Sequence, residues 1–218
     1  MSLHSEKLKN TLLEALYPSR VACCICGSEA VLDARGLCGL CQSRNLEAER
    51  FDNRFYFENP LISGYSAGFR YSEYSRGAML RLKYGGQKYV AQALASFMQV
   101  PPEWRATVVA AVPLHEKRRL ERGFNQSELL ARAVAKRYGL RFVPDMLQRK
   151  RYTQTQTQLS LSQRRANLSG AFEARDCLDE RVVVVDDVCT TGSTLHECAK
   201  ALMESGAERV FALCAYKA

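Results

Sequence analysis

The 218-residue chain is 47% hydrophobic and 25% charged, the balance of an ordinary soluble globular protein long enough to bury a core. No apolar run approaches the roughly 18 residues of a membrane-spanning helix. The N-terminal "MSLHSEKLKNTLLEALYPSR" lacks a signal peptide's apolar centre and cleavage site, so a cytosolic protein is expected. The net charge of +8 is uneven: between His115 and Arg151 eleven Lys/Arg face four Asp/Glu, a net +7. Such a run is ordinarily a solvated helix face, but its concentration beside an anion-binding signal favours a phosphorylated ligand or nucleic acid.

In chain order, residues 1–20 read as one amphipathic helix, with Leu8, Leu12, Leu13 and Leu16 on a shared face, ended near Pro18. Residues 21–44 are punctuated by cysteines, and 45–60 read as a charged, irregular linker. From residue 61 to 218 strand and helix signals alternate. "ISGYSAGFRY" predicts a twisted strand, "RGAMLRLKYGG" a short helix stopped by Gly85-Gly86, and "KYVAQALASFMQV" a second helix. "TVVAAVPL" is a buried strand. The basic stretch holding Lys117, Arg118, Arg119 and Arg122 reads as a loop.

"RGFNQSELLARAVAKRYG" is a helix with Asn125 as N-cap, Glu128 in a capping box and Gly139 at its end. Arg141–Val143 begins a strand and "SLSQRRANL" reads as a short helix. "RVVVV" is a strand, 193–204 a helix, and "RVFALCAY" a strand. Near-continuous apolar strands alternating with helices imply an α/β fold, a mainly parallel sheet covered on both faces, with ligands at the carboxyl ends of its strands.

Nine cysteines, an odd number, suit reduced thiols plus one metal site better than disulfides. Cys23-x2-Cys26 and Cys38-x2-Cys41, eleven residues apart, have the spacing of a structural four-thiolate zinc site, with Gly27 and Gly39 beside the knuckles. Cys24 is an extra thiol outside the standard spacing. The surrounding surface is a candidate for nucleic acid or a partner.

"VVVVDDVCTTGST", residues 182–194, joins a buried strand to two carboxylates and a hydroxyl-rich turn that opens a helix. Backbone N–H groups and the helix dipole there suit an anion. Asp186 and Asp187 would repel a bare phosphate yet accept hydrogen bonds from sugar hydroxyls. A ribose 5-phosphate satisfies both halves: phosphate in the turn, 2′ and 3′ hydroxyls on the acids. The string is neither a Walker A loop nor a GxGxxG motif. Trp104 and Tyr89 read as packing residues, His115 and Cys189 as incidental, and His196 as either ligand-facing or surface; Tyr71, Tyr74 and Tyr84 lie near a strand that could form an acceptor hood, with no spacing that assigns them a role.

The thirteen-residue string resembles the phosphoribosyl pyrophosphate (PRPP) signature of type I phosphoribosyltransferases. "VPLH..R...RGFNQ", "RLKYGGQ", and Thr153, Gln156, Leu159, Arg164, Asn167 and Phe172 narrow the resemblance to the ComF family, the competence-protein, amidophosphoribosyltransferase-like group, from about Cys23 to the C-terminus. The resemblance implies a type I phosphoribosyltransferase fold over 61–218, preceded by a small zinc ribbon. It implies that Asp186 and Asp187 hold the ribose, that Thr190, Thr191, Gly192, Ser193 and Thr194 cradle the 5′-phosphate, and that Pro113 and Leu114 with Arg118 form the pyrophosphate loop. Arg122, Asn125 and Gln126 would be a distinctive site segment, Arg122 joining the acids in catalysis.

Mg2+ would accompany PRPP, and the activity would be that of a glycosyltransferase acting in DNA uptake during natural transformation. The alternative is a non-catalytic accessory that binds single-stranded DNA and competence proteins and uses PRPP only as a regulatory ligand. A third reading is a zinc-ribbon scaffold with a vestigial transferase fold.

Overall fold

A computed structural model describes residues 22–43, 59–84, 89–150 and 168–218, with backbone alone at 73–75. The expected helix over 1–20, most of the linker, the Gly85-Gly86 stop, and Thr153, Gln156, Leu159, Arg164 and Asn167 lie outside the described residues, as does nearly all of the short helix expected there.

Five parallel strands form the central sheet: β1 (Gly64–Arg70), β2 (Val108–Ala111), β3 (Arg141–Phe142), β6 (Arg181–Cys189) and β7 (Arg209–Lys217), in the order β1-β7-β6-β2-β3. A separate antiparallel pair, β4 (Leu147–Arg149) and β5 (Phe172–Ala174), was not foreseen from sequence. Its strands are three residues long, too short to show alternation. The helices are α1 (Gly39–Ser43), α2 (Glu73–Tyr84), α3 (Tyr89–Ala95), α4 (Glu116–Arg122), α5 (Gln126–Tyr138) and α6 (Ser193–Glu204).

Strand alternation sends successive side chains to opposite faces. Val183 and Val185 join Leu82, Leu94, Leu130 and Val134 in one core, while Val182 and Val184 join Leu195, Cys198 and Leu202 in the other. The four-valine run is therefore buried on both faces, as a parallel sheet requires. Cys23, Cys38 and Cys41 belong to the first core, so the cysteine segment and helices α2, α3 and α5 share one apolar interior.

Three local readings are corrected. The basic stretch is a helix, α4: the His115 ring nitrogen Nδ1 accepts the Lys117 N–H at 3.2 Å, and Gly123 at φ 75° ends the turn. The helix read over "KYVAQALASFMQV" stops at Ala95, where Ser96, Phe97 and Met98 continue in tighter i→i−3 turns. Asn125 does cap α5, its Oδ1 taking the Ser127 N–H at 3.1 Å, but Glu128 pairs with Arg132 at 2.9 Å instead of returning to close a capping box.

Strand β6 outruns its valines and carries the acids. On one side it stays laddered to β7 through Asp186↔Cys214, Val188↔Tyr216 and Cys189↔Lys217. On the other, β2 pairs only as far as Ala111↔Val185, followed by the Val112 N–H to the Val185 carbonyl. Beyond that point β2 departs, and the chain continues outward from β2 to β3 and from β6 to β7. This divergence is the switch-point crevice of an open parallel sheet.

Candidate functional site

Asp186 and Asp187 stand on the crevice side of β6. Asp186 Oδ1 accepts the Ser127 hydroxyl at 3.0 Å and the Asp187 N–H at 2.8 Å. Asp187 Oδ1 accepts the Val188 N–H at 2.7 Å, and its Oδ2 meets Lys83 Nζ at 2.6 Å. Burial, and then the charge of Asp187, push the Asp186 carboxyl up to about 7 against the pull of the Asp187 N–H, Ser127 and Lys83. Burial also disfavours the Lys83 ammonium, yet Asp187 outweighs it and holds that group above the ordinary lysine range.

After β6, Thr190 and Thr191 are exposed while Gly192 and Ser193 are buried. Gly192 at φ 75° opens α6, a conformation that costs glycine little. Thr191 Oγ1 and Ser193 Oγ lie 3.0 Å apart, and Lys217 Nζ donates to the Thr190 carbonyl at 2.9 Å. Thr194 lies half-buried in the first turn of this twelve-residue helix. Hydroxyls, the first backbone N–H groups and the positive end of α6 thus gather beside the acids.

Across the crevice, Pro113 and Leu114 follow β2, both half-buried. Asn125 Nδ2 donates to the Val112 carbonyl at 2.9 Å and ties this segment to the start of α5. Arg118 is half-buried and Lys117 and Arg119 are exposed on α4. Arg122 is engaged: its guanidinium donates to Gln126 Oε1 at 3.1 Å and to the Tyr84 hydroxyl at 3.3 Å, and lies over the Tyr84 ring. Buried Gln126 leaves Nε2 without a hydrogen-bond partner among the described residues. A cavity of about 590 Å³ adjoins this side, lined by Pro113, Leu114, Asn125, Phe142, Asp145 and Arg149.

The fold therefore brings the acids, the 190–194 turn and the Arg122, Asn125 and Gln126 segment to one end of the sheet. Sequence reasoning missed Lys83, Ser127 and Lys217. Lys83 lay inside the quoted "RLKYGGQ" stretch, but nothing local pairs it with Asp187. Tyr84, placed near a possible acceptor hood but given no role by spacing, contacts Arg122. His115 is a helix cap, and His196 Nδ1 lies 3.2 Å from Asn59 Oδ1. Cys189 is buried, next to Cys214, whose hydrogen bond draws its thiol down to about 7.

The Sγ atoms of Cys23, Cys26, Cys38 and Cys41 all lie within 4.8 Å of one another, a set that can hold a metal ion. Cys26 and Cys38 are 3.7 Å apart, close to the roughly 3.8 Å edge of a tetrahedron with 2.3 Å metal–sulfur bonds. Gly27 at φ 79° turns the first knuckle, and the Cys38 N–H donates to Cys23 Sγ at 3.4 Å. Cys24 turns away toward the Arg35 carbonyl, and burial pushes its thiol up to about 12.

Residues 125–218 match the phosphoribosyl transferase domain family. The DNA utilization protein YhgH of Escherichia coli is 40% identical over 107 residues, 49% of this chain and 47% of that protein. Competence protein F of Haemophilus influenzae is 38% identical over 106 residues, 47% of this chain and 46% of that one. The matched segment spans about half the length of these curated relatives. A solved glutamine PRPP amidotransferase from B. subtilis shares 25% identity over 58% of this chain and 25% of its own length, at a TM-score of 0.38. Among the described residues no helix is long and apolar enough to cross a membrane. With a four-cysteine cluster and a segment that matches the phosphoribosyl transferase domain family, the chain is, over about half its length, a homologue of competence protein F and YhgH.

Proposed function

We propose that the protein binds Mg·PRPP and transfers or holds its 5-phosphoribosyl group. The observation that carries this reading is the pairing, at one strand end, of two hydrogen-bonded acids with a hydroxyl-lined helix start. Asp186 and Asp187 accept the ribose hydroxyls, and residues 190–194 hold the 5′-phosphate through backbone N–H and hydroxyl donors. Pro113, Leu114 and Arg118 face the pyrophosphate. Arg122, braced by Gln126 and Tyr84, adds positive charge beside it.

In transfer, an acceptor atom bonds C1 of the ribose as the C1–O bond to pyrophosphate breaks and its electron pair leaves with the pyrophosphate. The protein contributes alignment and electrostatic stabilisation, and Mg2+ bound with PRPP would supply charge neutralisation for the leaving pyrophosphate. The four-thiolate geometry supports a structural zinc, since a closed four-sulfur set leaves no open coordination position.

Calorimetry with Mg·PRPP tests the reading. The wild-type chain should bind, and Asp186→Ala with Asp187→Ala should abolish binding; no binding by the wild type would overturn it. Pyrophosphate release, screened against bases, ammonia sources and DNA ends, then separates transfer from binding.

A second reading is favoured by the exposed basic face of α4, where Lys117 and Arg119 flank Leu120, 78% exposed. Relatives named for DNA utilization and competence accord with single-stranded DNA as a partner. Arg118→Ala with Arg119→Ala should weaken DNA binding and lower its salt slope by about 0.7 per lost phosphate contact, while the double Asp variant should leave it intact. DNA affinity indifferent to the arginine changes would exclude this reading.

A further inference from the structure

We infer that Lys83 is a positioning residue of the ligand site, acting through Asp187 to keep the acid pair ionised and correctly oriented; this rests on the reading of the acids as ribose-hydroxyl acceptors. Adjacent carboxylates at a half-buried strand end repel each other, and the arriving ligand is itself an anion. Without a counter-cation such a pair retains a proton, and a protonated oxygen donates where the site needs an acceptor.

Lys83 meets that need by geometry. It leaves the last turn of α2 and places Nζ 2.6 Å from Asp187 Oδ2, the two side chains only 23% and 14% exposed. The Val188 N–H holds the other oxygen of Asp187, so the carboxylate plane is set from both ends. Each oxygen retains a second acceptor position for a ligand hydroxyl. Asp186 is tied differently, by Ser127 and the Asp187 N–H on Oδ1 alone.

Among the described residues, these charged and titratable groups face the pair. Asp186, Asp187 and Arg122 act on Lys83. Lys83, Asp187 and the Ser127 hydroxyl act on Asp186, whose charge is also felt by the thiols of Cys198 on α6 and Cys214 on β7. Arg122, although nearby, is held by Gln126 and Tyr84 and opposes the Lys83 charge, so it does not replace it.

The test uses Lys83→Met and Lys83→Arg in the full chain, with Mg·PRPP calorimetry from pH 6 to 8.5. Lys83→Met should lose about five-fold in affinity at pH 7, the fall in ionised fraction when a midpoint near 7 rises by about one unit. The pH of half-maximal binding should rise by about one unit, with affinity largely recovered at pH 8.5. Lys83→Arg should retain the wild-type profile. An equal loss at every pH, or no loss, would overturn the inference, because a helix anchor alone moves no midpoint.

Carboxyl carbon NMR titration of the ligand-free protein supplies a readout independent of PRPP. The Asp186 midpoint should rise in Lys83→Met, and an unmoved midpoint would overturn the inference whatever the ligand proves to be. Wild-type binding that survives loss of both acids would instead count against the PRPP reading itself.

Discussion

Arg81 and Lys83 leave α2 two positions apart and tie two segments distant in sequence to one helix. At 3.6 residues per turn they point about 200° apart around the helix axis. Arg81 donates through Nη2 to the carbonyls of Cys24, at 2.8 Å, and Ile25 on the first cysteine knuckle. Lys83 pairs with Asp187 at the end of β6. Glycine at position 27 makes room for the guanidinium: a Cβ there would meet Arg81 Nη1 at 2.8 Å. One helix thus joins the four-cysteine cluster to the acid pair of the candidate site.

Removing a metal held by the four cysteines should therefore be felt at the acid pair. A strong chelator is expected to lower the melting temperature and to weaken Mg·PRPP binding severalfold as the seat of α2 loosens. Arg81→Ala should reproduce part of both effects, with about 2 kcal/mol of stability lost from two charge-assisted bonds to carbonyls. Melting curves and calorimetry on the same samples check this; unchanged affinity after verified metal loss would contradict it.

The Lys83–Asp187 pair should show strong coupling. Lys83→Met or Asp187→Asn alone leaves a largely buried charge without its partner, at a cost of about 2–3 kcal/mol each. The double variant should cost clearly less than the sum. Urea unfolding of the four proteins measures the difference; simple additivity would mean the ion pair is energetically idle.

Asp186 makes a signed prediction with pH. Its folded value of about 7 lies above the roughly 3.9 of an unfolded aspartate, so between these values the native state binds more protons. Stability from this group is present below about pH 4 and is lost as pH rises toward 7. Melting temperatures at pH 5 and 7.5 should fall more steeply with pH in the wild type than in Asp186→Asn. Ligand binding should show the reverse trend, since the ionised form accepts hydroxyls.

Asn125 both caps α5 and ties it to β2. Asn125→Ala should cost about 1–2 kcal/mol, whereas Asn125→Ser, which keeps a capping oxygen but loses the bond to the Val112 carbonyl, should cost about half as much. Chemical denaturation of the two variants measures the tie separately from the cap. Equal losses would mean that the cap contributes nothing.

Much of the site was readable because its parts are consecutive in the chain. Residues 182–194 encode a buried strand, two acids, a turn and a helix start, and each step follows from residue type alone. The CxxC pairs are equally local, and their four sulfurs meet as the spacing implied. The α4 helix was misread because a short basic segment has no apolar stripe; its cap and its terminal Gly123 make the helix instead. Glu128 was misassigned because the choice between closing a box and pairing with Arg132 is made by side-chain reach.

By itself the sequence determined the parallel α/β architecture, the four-thiolate cluster and the acid-plus-turn string, since each is written in neighbouring residues. Only the tertiary structure decided which charges meet. Lys83 reaches Asp187, Ser127 reaches Asp186 and Arg81 reaches the Cys24 carbonyl because the helices pack over the diverging ends of β2 and β6. Contacts between distant segments depend on strand order and helix docking, which the hydrophobic pattern permits but does not rank.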